Sequence, residues 1–169
     1  MAAIVICYSR AGENFFAGKF RYIDKGNTEI AAEMIAAQTG AALFRVEQEK
    51  PYADEYKTCV AQAKADFDSG TRPPLKALPE GMERYDTIYL GYPIYCGTMP
   101  MAMFTLLENI DTKGKTIRPF CTHEGSGMAH SAEDIKKLCP DAKIEKSLAV
   151  LGREVQEAQT AIRSWLLEE

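Results

Sequence analysis

The 169-residue chain lacks the basic charge that nucleic-acid binding requires, because its formal net charge is −4 and its longest basic run is a Lys-Lys pair. We therefore expect no nucleic-acid partner. No apolar run approaches the roughly 18 residues of a membrane span, and the first residues show neither a basic leader nor a cleavage site. These absences predict no membrane partner and no export signal, and they favour a cytoplasmic protein.

The cysteine pattern lacks a C-x-x-C pair, which argues against a zinc site or a redox dithiol. The five cysteines, Cys7, Cys59, Cys96, Cys121 and Cys139, are odd in number and widely spaced. Reduced, structural thiols are expected at all of them except Cys96, which lies in a candidate ligand-binding loop. With 46% hydrophobic and 26% charged residues, the chain has the balance of a globular protein, and its length predicts one domain over residues 1–169.

Short apolar runs alternate with amphipathic helical patterns along the whole chain. The first run, residues 3–8, is continuously apolar, as in a strand that is buried on both faces of a sheet. Predicted strands cover residues 3–8, 43–46, 86–92, 116–122 and 144–150, and a helix is predicted after each of them, from residues 27, 56, 100, 131 and 155. This order predicts an α/β fold, a doubly wound open parallel sheet of five strands in the order 2-1-3-4-5 with helices on both faces.

Ligands of such sheets bind beyond the carboxyl ends of the strands, where the strand order reverses, so the loops after strands one, three and four should form one site. The first loop contains Ser9, Arg10, Ala11 and Asn14, and Gly26-Asn27-Thr28 later opens a helix. Backbone N–H groups, a helix dipole and these polar side chains could hold a phosphate. An ordinary capped helix after a polar turn is the alternative.

The loop after strand three is apolar and aromatic, and it runs Gly-Tyr-Pro-Ile-Tyr-Cys-Gly-Thr-Met-Pro over residues 91–100. Tyr95 could stack on an aromatic ring, and Gly97 would let the Cys96-Gly97 peptide change orientation. A self-packed loop edge is the alternative. The loop after strand four, residues 122–127, offers two glycines and polar groups, in which His123 is expected to position a ligand rather than to catalyse.

These motifs together resemble the flavodoxin family: Tyr-Ser-x-x-Gly, Gly-Asn-Thr-Glu, the 91–100 loop and Thr-His-Glu-Gly-Ser-Gly each follow the strand that the family pattern requires. The resemblance covers nearly the whole chain and implies a flavodoxin-like fold with one bound flavin mononucleotide (FMN). It implies a phosphate site at Ser9, Arg10, Ala11, Asn14, Asn27 and Thr28, and an isoalloxazine site at Pro93, Ile94, Tyr95, Cys96, Gly97, Thr122, His123, Glu124, Gly125, Ser126 and Gly127.

The chain departs from the family pattern at residues 13–25, which interrupt a loop that is normally compact. The interrupting segment is rich in aromatic residues around Ala17-Gly18-Lys19, which allows either a small hairpin near the cofactor or packing of the aromatics on the first helix. A second departure is the mild net charge of the chain. The family resemblance implies a strongly acidic protein where the redox partner is basic, so the resemblance does not indicate which partner this chain prefers.

The resemblance implies electron transfer, with redox partner proteins or small-molecule electron acceptors as partners. An NAD(P)H-dependent FMN oxidoreductase on the same scaffold and a cofactor-free binding module remain alternatives. Three other classes are disfavoured. A Rossmann dehydrogenase needs G-x-G-x-x-G after strand one, a receiver domain needs aspartates at the strand ends, and a low-molecular-weight phosphatase needs arginine where Glu13 stands.

Overall fold

The computed structural model describes residues 2–168, and its strands and helices follow the predicted alternation. The strands are β1 (Ala2–Cys7), β2 (Gly12–Phe16), β3 (Lys19–Ile23), β4 (Ala42–Arg45), β5 (Tyr85–Pro93), β6 (Thr116–His123), β7 (Lys143–Ile144) and β8 (Leu148–Leu151). The helices are α1 (Asn27–Thr39), α2 (Tyr56–Ser69), α3 (Met101–Asn109), α4 (Ser131–Leu138) and α5 (Gln159–Leu167), with 3-10 turns at Met82–Arg84 and Gly152–Glu157. Within residues 2–168, every helix is too short or too polar to cross a bilayer.

The main sheet is parallel, and its strand order is β4-β1-β5-β6-β7, with β8 also paired to β6. This arrangement confirms the α/β fold and the predicted order 2-1-3-4-5. Apolar residues on one sheet face pack against α3 and α4, and those on the other face pack against α1 and α5. Both faces are therefore covered, which explains why the central strands read as continuous apolar runs.

The predicted fifth strand, residues 144–150, is split into β7 and β8. Ile117 of β6 pairs with Ile144, and pairing resumes only at Phe120 with Leu148. Pro119 lies between these two pairs and has no N–H to donate to a neighbouring strand. The break between β7 and β8 thus lies beside Pro119, which cannot donate a hydrogen bond to a continuous edge strand.

The segment that interrupts the first loop is an antiparallel hairpin formed by β2 and β3. Its two-residue turn, Ala17 and Gly18, has positive φ angles of 53° and 75°, as a type I′ turn requires. Phe15 and Phe20 pack against each other and against Tyr56 at the start of α2. Of the two interpretations that the sequence allowed, the structure supports the hairpin, and these two aromatics contact α2.

Pairing at the base of the hairpin explains how the first loop tolerates it. Gly12 pairs with Ile23, so the chain leaves the carboxyl end of β1, forms the hairpin and returns to nearly the same place. Ser9 and Arg10 consequently lie next to Gly26, directly before α1.

Candidate cofactor site

A cavity of about 410 Å³ lies beyond the carboxyl ends of β1, β5 and β6. It brings together residues from all three predicted loops: Arg10, Asn14, Asn27, Thr28, Pro93, Ile94, Tyr95, Thr122, His123, Glu124, Gly125 and Ser126. Four further lining residues were not predicted, namely Phe15, Phe16, Tyr56 and Gly152. The volume is in the range of about 300–1,000 Å³ that is common for small-molecule sites.

The first loop lies against the amino end of α1 because Gly26 has no side chain. A Cβ on Gly26 would lie 2.8 Å from both the backbone N and O of Arg10, closer than real Cβ atoms approach backbone. The Ser9 hydroxyl also accepts a hydrogen bond from the N–H of Glu29, at 3.0 Å, and so caps α1 from a distant part of the chain. The N–H groups of Asn27 and Thr28 make no hydrogen bond within residues 2–168. They remain free to bind an anion.

Arg10 holds the first loop in place through backbone carbonyls. Its guanidinium donates to the carbonyl oxygens of Glu13, Ala53 and Asp54, the last two at 3.1 and 2.6 Å. The Arg10 carbonyl in turn accepts a hydrogen bond from the Asn14 amide, at 3.1 Å. Arg10 thus ties β1 to the hairpin and to the segment before α2, and only its remaining N–H groups are available to a ligand.

Two buried hydroxyls join α1 to β6 beneath the cavity. Thr28 and Thr122 are almost fully buried, and their Oγ1 atoms are 2.7 Å apart, which is a hydrogen bond. Because each hydroxyl is the partner of the other, neither is left unsatisfied in the interior. The pair fixes the start of α1 relative to the strand that carries the third loop.

The second loop contains a tight turn at Cys96 and Gly97. Tyr95 and Thr98 exchange backbone hydrogen bonds of 2.8 and 3.1 Å across this turn. The φ angles of Cys96 and Gly97 are 53° and 77°, so both residues are left-handed, as in a type I′ turn. A residue with a side chain has only a narrow allowed region at positive φ. Cys96 therefore opposes the rotation of the Cys96-Gly97 peptide that Gly97 alone would permit.

Tyr95 lies on the inner wall of the cavity. Its ring meets the ring of Tyr8 edge to face, with centroids 5.9 Å apart. Its hydroxyl is buried and has no hydrogen-bond partner within residues 2–168, and burial raises the pKa of this phenol well above its ordinary value. The packing fixes the orientation of the ring that was predicted to stack on a ligand.

The third loop is organised by His123. The Nδ1 atom of His123 accepts hydrogen bonds from the N–H groups of Gly125 and Gly127, at 2.9 and 3.1 Å. Burial lowers the pKa of His123, and the nearby Glu124 carboxylate opposes this shift. The ring is therefore a neutral acceptor at neutral pH.

Gly152 follows β8 and lies under two side chains of the cavity. A Cβ on Gly152 would lie 2.6 Å from Asn27 Nδ2 and 2.7 Å from Glu124 Oε1. The absence of a side chain lets these two polar groups lie across the end of β8. The position of Gly152 directly after an edge strand was the sequence signal that could have identified it, since all carboxyl strand ends meet at one edge of the sheet.

The remaining predicted residues lie around the main cavity rather than in its lining. Ser9 and Ala11 line a neighbouring cavity of about 370 Å³ on the other side of the first loop, and Cys96 lines one of about 200 Å³ beside α2. Gly97 and Gly127 shape the turns of their loops, with φ angles of 77° and 61°.

Four of the thiols, Cys7, Cys59, Cys121 and Cys139, are buried, as expected of structural cysteines. Cys96 is exposed, and all five are free. Burial raises the pKa of Cys7 and Cys121 to about 12 and also raises the pKa of the exposed Cys96. A raised pKa disfavours the thiolate, so the structure identifies no activated cysteine at the cavity.

The sequence model of one protein family, described as flavodoxin, matches residues 20–168. The chain belongs to the flavodoxin family. A search of proteins with curated descriptions gave no significant match.

Solved structures share the fold of this flavodoxin-family chain. A candidate flavoprotein from Bacteroides uniformis ATCC 8492 superposes with a TM-score of 0.78 at 21% identity, covering 99% of this chain and 98% of its own. A second, from Bacteroides eggerthii DSM 20697, has a TM-score of 0.73 at 24% identity, covering 96% and 98%. A flavoprotein from Lactobacillus acidophilus NCFM, solved in complex with FMN, has a TM-score of 0.65 at 18% identity, covering 92% and 97%.

Proposed function

We propose that this flavodoxin-family protein binds one FMN in the 410 Å³ cavity and carries electrons on it. The observation that carries the proposal is the pair of unbonded N–H groups at Asn27 and Thr28, two residues that line a cavity with an apolar aromatic wall. FMN needs both features, since its phosphate is anionic and its ring system is flat and aromatic. The FMN complex of the Lactobacillus flavoprotein, on the same fold, supports this choice of cofactor.

The phosphate would be held by backbone groups rather than by a lysine. The amino end of α1 carries a partial positive charge, and its free N–H groups at Asn27 and Thr28 would donate to phosphate oxygens. Gly26 contributes by allowing the first loop to approach, and the Ser9 hydroxyl contributes by capping α1. The Arg10 guanidinium lines the same cavity and would add positive charge.

The ring would lie between the second and third loops. Ile94 and Tyr95 supply apolar contact on one side, and the loop that starts at His123 supplies polar groups on the other. The hairpin adds Phe15 and Phe16, which line the cavity and would exclude water from the bound ring. These contacts would position the ring without a covalent bond.

Bound FMN supplies one- and two-electron redox chemistry, and the chain tunes how easily electrons are accepted. Glu124 lines the cavity and carries a negative charge, which opposes further negative charge on a reduced ligand and so lowers its potential. Cys96 has a side chain and a positive φ angle, so it opposes rotation of the Cys96-Gly97 peptide group. This peptide would therefore form few new hydrogen bonds to the flavin when the flavin is reduced. Redox partner proteins or small-molecule acceptors would receive the electrons.

The proposal is tested by titrating the purified apoprotein with FMN and with riboflavin, followed by a redox titration of the complex. We expect one FMN per chain, weaker binding of riboflavin because it lacks the phosphate, and reversible reduction. Absence of FMN binding would refute the proposal in favour of a cofactor-free binding module. Rapid steady-state oxidation of NADH or NADPH by the complex would replace the carrier role with that of an NAD(P)H-dependent FMN oxidoreductase.

A further inference from the structure

His123 accepts two backbone hydrogen bonds on a single ring nitrogen. It stands at the carboxyl end of β6, and its Nδ1 lies 2.9 Å from the N atom of Gly125 and 3.1 Å from that of Gly127. A ring nitrogen that accepts carries no proton, so the neutral ring has its proton on Nε2. One side chain therefore fixes both glycines of the third loop.

The third loop, residues 124–127, has few other constraints on its conformation. Glu124, Gly125 and Ser126 are exposed, and the glycine φ angles are 143° and 61°, which residues with side chains rarely adopt. Within residues 2–168, two other side chains form hydrogen bonds with this loop. The Ser126 hydroxyl and the Cys121 thiol both donate to the Gly127 carbonyl. The two bonds to His123 are thus the ones that hold the loop's N–H groups.

We infer that His123 is a positioning residue whose neutral ring holds residues 124–127 against the cavity, and that protonation of Nδ1 releases this loop and weakens flavin binding. A protonated Nδ1 would be a donor facing two N–H donors, so both hydrogen bonds would be lost together. The effect on flavin binding rests on the proposed function, whereas the two hydrogen bonds do not.

The charges around His123 set the direction of its response to pH. Glu124 in the same loop favours the protonated ring, but burial outweighs it, and the pKa of His123 is lowered. Arg153, Glu154 and Glu157 line the depression on the outer side of the ring, and Arg10 lies across the cavity. Because the pKa is lowered on folding, the stabilisation is complete above the ordinary histidine pKa and is lost as pH falls through the lowered value.

Two substitutions at His123 distinguish the role of its side chain as a hydrogen-bond acceptor from the effect of its protonation. His123→Asn keeps an acceptor that can bond the N–H two residues further on but does not titrate, and His123→Ala removes the acceptor. His130→Asn is the matched control, because His130 is the other histidine of the chain, is exposed and lies outside the cavity lining. Circular dichroism of each variant verifies that it is folded.

The first readout is independent of flavin. Nitrogen-15 NMR of the imidazole should show an unprotonated Nδ1 at neutral pH, and the amide signals of Gly125 and Gly127 should move together as the ring is protonated. The second readout is FMN affinity, measured by fluorescence quenching at about pH 7.5 and about pH 5. The FMN phosphate titrates equally in all variants, so differences between variants report on the protein.

We expect acidification to weaken FMN binding by about tenfold more in the unsubstituted protein and in His130→Asn than in His123→Asn. His123→Ala should bind weakly at both pH values. A proton on Nδ1 at neutral pH, unchanged glycine amide signals in His123→Ala, or an equal pH response in His123→Asn would overturn the inference. Failure of the unsubstituted protein to bind FMN would contradict the proposed function instead, and NMR would then decide on the His123 hydrogen bonds alone.

Discussion

Replacing Gly26 by alanine tests the close approach on which the phosphate site depends. Gly26 has φ −66° and ψ 151°, which alanine adopts without strain, so the effect of the substitution is purely steric. The new Cβ would lie 2.8 Å from the backbone N and O of Arg10 and would also collide with the Ser9 hydroxyl. Restoring an ordinary contact of 3.4 Å requires the Arg10 backbone to move by about 0.6 Å.

That movement is costly because Arg10 is held by three carbonyls and Ser9 caps α1. Overpacking of this kind costs about 1–3 kcal/mol, and loss of the Ser9 to Glu29 hydrogen bond adds about 1 kcal/mol. We therefore expect Gly26→Ala to lower the free energy of unfolding by about 2–4 kcal/mol and to raise the FMN dissociation constant by at least about tenfold.

The assay combines urea denaturation of the apoprotein with FMN titration of the folded variant. Gly114→Ala is the control, since no atom of residues 2–168 beyond its chain neighbours lies within 4 Å of a Cβ built on Gly114, and Gly114 precedes β6, at the amino ends of the strands. Because Gly114 has φ 72°, alanine there should cost about 1–2 kcal/mol of stability and leave FMN affinity unchanged. If Gly26→Ala retained both stability and FMN affinity, the reasoning about the first loop would be refuted.

Four further substitutions test a buried hydroxyl pair, a left-handed turn residue, the charge at the cavity and a buried arginine. Thr28→Val should destabilise the chain by about 1–3 kcal/mol in urea denaturation, because the Thr122 hydroxyl loses its buried partner, and equal stability would contradict this. Cys96→Gly should raise the free energy of unfolding by up to about 1 kcal/mol by relieving positive φ; a loss of stability would count against the turn assignment. Glu124→Gln should raise the flavin potential in a redox titration, and a lowered potential would contradict the charge argument. Arg118→Met should cost about 3–5 kcal/mol, since buried Arg118 donates to carbonyls at the end of α5 and pairs with a carboxylate; a thermal scan without change would exclude that role.

The sequence was sufficient to predict the sheet and its order. Continuous apolar runs predicted β1, β5 and β6 within about two residues, because strands covered on both faces must be apolar throughout. The Gly26-Asn27-Thr28 motif predicted the start of α1 correctly. The helix is followed by Gly40 in the left-handed conformation, and glycine at that position is a local signal in the sequence. Local chemistry determines these elements.

Features that depend on distant residues were harder to predict. The predicted last helix from Val155 begins as a 3-10 turn, and α5 starts only at Gln159. The cap of α1 is the hydroxyl of Ser9, which is 20 residues from Glu29 in sequence. Sequence patterns contain no signal for such a contact, because the hairpin between these residues brings them together only in the folded chain.

The predicted site is largely a property of topology, which is why the sequence could indicate it. Loops after β1, β5 and β6 were expected to meet, and they do line one cavity. The contribution of Gly152 and the engagement of Arg10 by carbonyls were not predictable, since both depend on how loops pack in three dimensions. Whether the lining residues bind FMN stays a prediction.

A crystal structure of the protein grown with FMN would show whether the cavity holds this cofactor. We expect one FMN per chain, with its phosphate on the N–H groups of Asn27 and Thr28 and its ring between Ile94 and the loop that follows His123. A phosphate bound elsewhere, or an empty cavity in crystals grown at saturating FMN, would contradict this expectation.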